Sequence, residues 1–198
     1  MNYTESFIRA HGDECIIKRT KDAPSYVSIK PATTSYSDNR DLYREGLILA
    51  DSNLASGEVM ETGGEKLLVR SVYPDKQSGQ LSFLASKVNA ELTHRRYEET
   101  ADEWGNVTQK WSIITSIVYA TAQIVSAALR QQDPGLLPTT KWVFLIPAIA
   151  TLQEMDRLEF NSGSTKCRVD SIDDIRLPGL LRVQCSDDLR GGRNDDKV

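Results

Sequence analysis

The sequence predicts an all-β protein of two tandem small β-barrel or sandwich domains, related by internal duplication, with one long protruding hairpin. Three observations lead there. First, a strand-rich stretch late in the chain repeats an earlier one: Leu47, Ile48, Leu54, Glu58 and Met60 lie 98 positions before Leu145, Ile146, Leu152, Asp156 and Leu158. After a two-residue slip the spacing becomes 100, pairing Val69, Ser71, Val72, Gly79, Leu81 and Phe83 with Val169, Ser171, Ile172, Gly179, Leu181 and Val183. A period of half the chain marks a duplicated domain, since solenoid repeats run roughly 20–50 residues. Second, short apolar runs alternate with turn signals such as Gly63-Gly64 and Ser78-Gly79, a rhythm that suits hairpins within a sandwich or barrel. Third, 198 residues divide into two halves that can each bury a modest core. The expected divisions are a first barrel unit over 1–88, a second over 89–186 that includes a hairpin at 89–117, and a polar, charged, disordered tail over 187–198.

Taken in order, Tyr3–Arg9 is a short mixed stretch that ends at the Gly12-Asp13 turn. Cys15–Arg19 and Tyr26–Ile29 read as strands, with Pro24 between them and Pro31 closing the second, so that neither proline interrupts a ladder. Thr33–Glu45 is a long polar connection, and unstructured loops of that length are often functional. Gly46–Ala50, Glu58–Glu61, Lys66–Tyr73 and Gln80–Leu84 follow as strands. Between Ala85 and Ile117 a turn at Gly105-Asn106 separates two alternating polar stretches, which predicts a hairpin with little core face of its own. A helix over Ala85–Glu103 is the competing reading, because Ala, Lys, Glu, Leu and Arg are good helix formers. In Ile113–Leu129 eight of seventeen residues are Ile, Val or Thr, whose stiff side chains favour one long bent strand or two consecutive ones over a helix. Arg130–Lys141, with Asp133-Pro134-Gly135 and Pro138, is a turn-rich connection placed as Thr33–Glu45 is in the first half.

The composition narrows the function. A net charge of −4 lacks the basic footprint of a general nucleic-acid binder. Cys15, Cys167 and Cys185 are too few and too scattered for a disulfide framework or a paired-cysteine zinc site. His11 and His94 stand in no metal-ligand spacing, and no phosphate-binding glycine loop or nucleophile elbow occurs. No enzyme, metal or cofactor is therefore expected. The charged N-terminal residues do not read as a signal peptide, and no apolar run is long enough for a membrane helix, which points to a soluble protein made in a reducing compartment.

Two loops and one hairpin remain as candidate sites. Tyr36, Arg40, Tyr43 and Arg44 give the first long loop a basic, aromatic composition suited to phosphates or a partner surface. Arg130 and Lys141 mark the second. Trp104 at the hairpin turn, with Tyr97, Arg95 and Arg96 along its first strand, is the candidate interface anchor, because Trp, Tyr and Arg dominate hot spots. Trp111 and Trp142 are expected in the core of the second barrel.

The order of these segments resembles the head–tail connector proteins of tailed bacteriophages, in particular the stopper or head-completion family at the virion neck. The resemblance rests on Trp142–Pro147, Met155–Phe160, Cys167–Ile172 and Gly179–Val183, more faintly on Gly46–Leu49, Gly57–Met60 and Leu68–Val72, and on the hairpin Arg95–Trp111. It departs from the family in length, since the family is usually a single barrel, and in lacking a proline after Gly46–Leu49. It implies a homo-oligomeric ring of six or twelve copies in the virion neck, between a portal-side adaptor and the tail terminator or tail tube. Double-stranded DNA would pass through the ring, and the long loops would serve as gate or inter-subunit elements. An acidic body fits that role, because phosphate contacts would resist sliding DNA. The alternatives are a tail-terminator or tail-tube-like ring protein and a double OB-like nucleic-acid-binding module. The latter needs exposed aromatics on a basic strand face.

Overall fold

The computed structural model describes residues 3–32, 40–101, 103–148, 151–160 and 162–190. The chain opens with helix α1 (Tyr3–His11) and continues with strands β1 (Asp13–Lys18), β2 (Ala23–Pro31), β3 (Tyr43–Ile48), β4 (Val59–Thr62), β5 (Glu65–Pro74) and β6 (Leu81–Lys87). The second half holds β7 (Ala90–Ala101), β8 (Val107–Ile124), helix α2 (Ala127–Gln132), β9 (Trp142–Pro147), β10 (Arg157–Phe160), β11 (Thr165–Asp173) and β12 (Leu180–Asp187). The strands close into two barrels, β1-β2-β3-β6-β5-β4 and β7-β8-β9-β12-β11-β10, with every neighbouring pair antiparallel. Closure removes the exposed edges that a small open sheet would present.

The strand order is the same in both barrels, and the duplication extends to details. A register shift between Val69 and Ser71 in β5 recurs between Val169 and Ser171 in β11. The amide of Val69 donates to Glu58 O, and that of Val169 to Asp156 O, each at 2.9 Å. Each barrel encloses its own core, built around Phe83, Met60 and Ile48 in the first and Phe144, Leu158 and Ile146 in the second. Strands supply these residues at every second position, which the period-2 pleat directs inward.

The barrels meet through a smaller apolar patch: buried Val59, Leu68 and Leu180, flanked by Val88, Tyr119, Leu145 and Leu177. Around it Lys66 pairs with Glu91 at 2.6 Å and lies 4.5 Å over the ring of Tyr119, while Ser86 Oγ and Thr121 Oγ1 are 2.8 Å apart. Gly57 and Gly179 bring two loops into backbone contact here. Both have positive φ (+88° and +77°), and a Cβ on either would run into the other loop's carbonyl group. The residue equivalent to Gly57 in the second barrel is Met155, which keeps the left-handed φ of 71° but is half exposed and faces no third barrel.

Four segments differ from the sequence reading. Tyr3–His11 is a helix, held by the Glu5–Arg9 pair (3.2 Å), the Phe7–His11 ring contact and the burial of Ile8. It ends at Gly12, whose amide donates to Ile8 O at 2.8 Å. Pro24 and Pro31 lie inside β2, opposite Ile16 and Arg44, near the ends of the ladder where a missing donor costs least. Ala127–Leu129 belong to α2 because Ser126 caps it, accepting from the Leu129 amide at 3.1 Å. Asp188 and Arg190, within the expected disordered tail, pack into the second barrel; 191–198 lie outside the described residues. The 85–117 region is strand rather than helix, with β7 and β8 forming the expected hairpin.

Candidate interaction surfaces

The β7–β8 hairpin is longer than its barrel. β10 pairs with β7 only at Thr93–Arg95, and β9 with β8 only at Thr121–Ile124. Among the described residues, 96–101 and 107–112 therefore pair as strands only with each other, forming an arm about 20 Å long at the usual strand rise. Its turn carries Trp104, 87% exposed, and Ile113 and Ile117 lie exposed on β8 nearer the barrel.

The arm's root is fixed by two charge clusters. On the outer side, Tyr97 and Trp111 face each other across the strands with ring centroids 5.2 Å apart. The guanidinium of fully buried Arg157 sits 3.6 Å from the Trp111 ring centroid and donates to Asp188 at 2.7 Å. Arg190 also donates to Asp188 (2.8 Å) and to Met155 O (3.0 Å), which ties the segment after β12 over the root. Burial raises the pKa of Asp188, but the hydrogen bonds from Arg190 and Arg157 outweigh it and hold the carboxyl at about 2.

On the inner side, Asp156 accepts from Arg96 Nε and Nη2 at 2.8 Å, from the Gln153 amide at 2.9 Å, and stands 2.7 Å from His94 Nε2. Burial again works against the charge, yet these partners bring the Asp156 pKa down to about 2. The same device closes the first barrel: Arg19 donates to Glu58 at 2.8 Å and to Asn53 O at 2.8 Å, and the Ala55 amide donates to Glu58 at 2.9 Å. Arg19 thus stands where Arg96 does, and Ile17, opposite Met60, stands where His94 stands opposite Leu158.

Of the anchors expected from the sequence, Trp104 is exposed at the arm's tip and Tyr97 is partly exposed at its root. Arg95 and Arg96 are engaged by carboxylates of their own chain. Arg95 lies 2.9 Å from Glu159, out of line for a hydrogen bond, and Arg96 is committed to Asp156. Trp111 packs on Arg157 rather than in the barrel core, whereas Trp142 does pack against the core, edge-on to Phe160 at 5.9 Å.

The loop candidates resolve similarly. Tyr36 falls outside the described residues, and Arg40 begins a short 3-10 turn (Arg40–Leu42) with its side chain outside them. Tyr43 lies beneath the Arg70 guanidinium, 5.3 Å from it, and Arg44 pairs with Glu65 at 3.3 Å while donating to Asp41 O and Tyr43 O. Arg130 donates to Leu137 O (3.0 Å) and Thr140 O, and Lys141 pairs with Asp187. Gln184 of β12 receives the Leu137 amide and the Thr140 hydroxyl and donates to Gly135 O. The second connection is therefore folded onto its barrel rather than projecting. Asp156 stands in the sequence only as a repeat position, and Arg157, Asp188 and Arg190 carry no signal there of their roles. Extending the repeat to β1 and β7 would have aligned Arg19 with Arg96 and exposed the first cluster.

Among the described residues no three His, Cys, Asp or Glu side chains converge as a metal site requires, and no helix is long and apolar enough to cross a membrane. The fold defines a tandem pair of closed six-stranded barrels with a rooted arm. No protein-family model matches the chain, and no curated protein matches it. Among solved structures the chain is similar to the solution structure of protein SF1141 from Shigella flexneri 2a, at 15% identity, covering 52% of this chain and 96% of that one, with a TM-score of 0.42. A likeness that loose carries no inference about function.

Proposed function

We propose that the chain is a structural protein that assembles into a ring at the neck of a tailed-phage virion, closes the filled head and retains its DNA. The observation that carries the reading is the arm: a hairpin longer than its barrel, rooted by two charge clusters and tipped by exposed Trp104. A rigid strand pair with an aromatic tip supplies the kind of anchor that interfaces bury, and Ile113 and Ile117 extend the apolar surface toward the barrel. The acidic balance of the chain suits a channel through which DNA slides.

Native mass spectrometry with negative-stain imaging tests assembly, and DNA retention by heads tests closure. Rings with a central hole of duplex width, lost on Trp104→Ala without loss of folding, are expected. Heads that hold their DNA equally well without this chain refute closure.

A further inference from the structure

We propose that the cleft between the two barrels is a binding site for a phosphate group, held by Arg70. The cleft has a volume of about 110 Å³, room for roughly three to four waters at liquid density or one tetrahedral oxyanion. Its polar lining comes from both barrels: Tyr43, Arg70 and Ser86 from the first, Thr121, Gln123 and Arg182 from the second. In a chain of net charge −4, this lining contains two arginines and no carboxylate.

Arg70 is the informative residue. It sits at the bulge of β5, between Val69 and Ser71, where an extra residue re-aims the side chain. At the same bulge in the second barrel stands Asp170, which accepts from Arg168 at 2.7 Å, so that position is internally neutralised. Arg70 has no such partner. Among the described residues its one specific contact is the Tyr43 ring, and its buried Nε has no hydrogen-bond acceptor. A buried donor left without an acceptor carries a desolvation cost that a bound anion removes. Arg182 on the opposite wall is already paired with Asp133, so Arg70 supplies the uncompensated charge. The Ser86 and Thr121 hydroxyls lie 2.8 Å apart and Thr121 donates to Lys87 O at 3.1 Å, which leaves the Ser86 hydroxyl as the donor that can turn toward an oxyanion. A planar guanidinium presenting two parallel N–H groups matches the geometry of a phosphate better than that of a spherical anion.

The chemistry is that of a phosphate monoanion or dianion, and it has two sources: free inorganic phosphate, or the phosphodiester backbone of DNA. The site does not depend on ring assembly, and its failure would leave the neck reading untouched. The test uses the full chain at constant ionic strength, exchanging chloride for inorganic phosphate, with thermal unfolding and phosphorus NMR line width as readouts. Fluorescence anisotropy of a labelled short DNA duplex is measured alongside. For free phosphate, line broadening and a rise in unfolding temperature are expected in the native chain. Arg70→Gln abolishes both, and Arg70→Lys, which keeps the charge and loses the fork, retains part. For the backbone, duplex binding is expected to weaken about tenfold in Arg70→Gln, the loss of one charge-assisted contact, and inorganic phosphate competes with it. Equal responses of the native chain and Arg70→Gln, or no binding of either probe, overturn the proposal. Should Arg70→Gln not fold, the native chain and Arg70→Lys decide it: no phosphate broadening and no duplex binding in the native chain, or responses identical in the two, refute it.

Discussion

Replacing Asp156 with asparagine keeps the shape of the side chain and removes the charge on which His94, Arg96 and the Gln153 amide converge. The carboxyl is held at about 2, against an ordinary value of 3.8. At roughly 1.4 kcal/mol per pH unit, that depression corresponds to about 2–3 kcal/mol of folding stability at neutral pH. Because the folded-state pKa is the lower one, this stability is fully present above about pH 4 and is lost as the pH falls toward 2. Asp156→Asn should therefore destabilise the second barrel by about 2–3 kcal/mol at neutral pH, and the difference from the native chain should shrink to near zero at about pH 2. All three tryptophans, Trp104, Trp111 and Trp142, lie in the second half, so urea unfolding followed by tryptophan fluorescence reads that barrel selectively. The duplicated position supplies an internal comparison. Glu58 and Arg19 make the same pair with side chains 21% and 30% exposed, against 4% for Asp156. Solvent screening there should limit Glu58→Gln to about 1 kcal/mol or less, followed by far-ultraviolet circular dichroism. Equal costs at the two positions, or an Asp156→Asn cost that does not change with pH, would refute the reasoning from burial.

Other consequences can be measured with the same protein. Gly57→Ala forces a Cβ into the Gly179 loop at a left-handed backbone position, and should cost about 3 kcal/mol in chemical unfolding. Gly63→Ala, with φ of +55° and open space around it, should cost only about 1 kcal/mol. Cys15, Cys167 and Cys185 are all buried, and burial pushes the Cys15 thiol up to about 11 and the Cys185 thiol upward as well. A thiol reagent at mildly alkaline pH should therefore label no cysteine in the native chain and three in urea; prompt labelling of any one would contradict its burial. Trp104→Ala should leave stability within about 0.5 kcal/mol, because the side chain is 87% exposed, and on the proposed ring assembly it should weaken self-association read by sedimentation.

The sequence by itself determined the all-β class, the duplication and the existence of the hairpin. These depend on local signals: apolar residues at every second position, turns marked by glycine, and a spacing that returns at Leu145–Leu158 and Val169–Val183. The structure adds matching bulges at Val69/Ser71 and Val169/Ser171, at corresponding positions of that repeat. Helix α1 leaves little trace in the sequence, because a nine-residue segment with one buried side chain, Ile8, has too little periodicity to show, and its stability comes from packing. What each charged residue does was decided by tertiary structure alone. Arg95 and Arg96 look like display residues in a polar hairpin and Trp111 like a core residue, yet closure of the barrel places Glu159, Asp156 and Arg157, at or beside β10, against them. Arg70 and Arg168 are equally ordinary in sequence. One is neutralised by a neighbour two residues on, and the other is left facing a cleft that exists only because the two barrels pack together. Pairing across a closed barrel brings together residues of any sequence separation, and composition carries no record of which charge meets which.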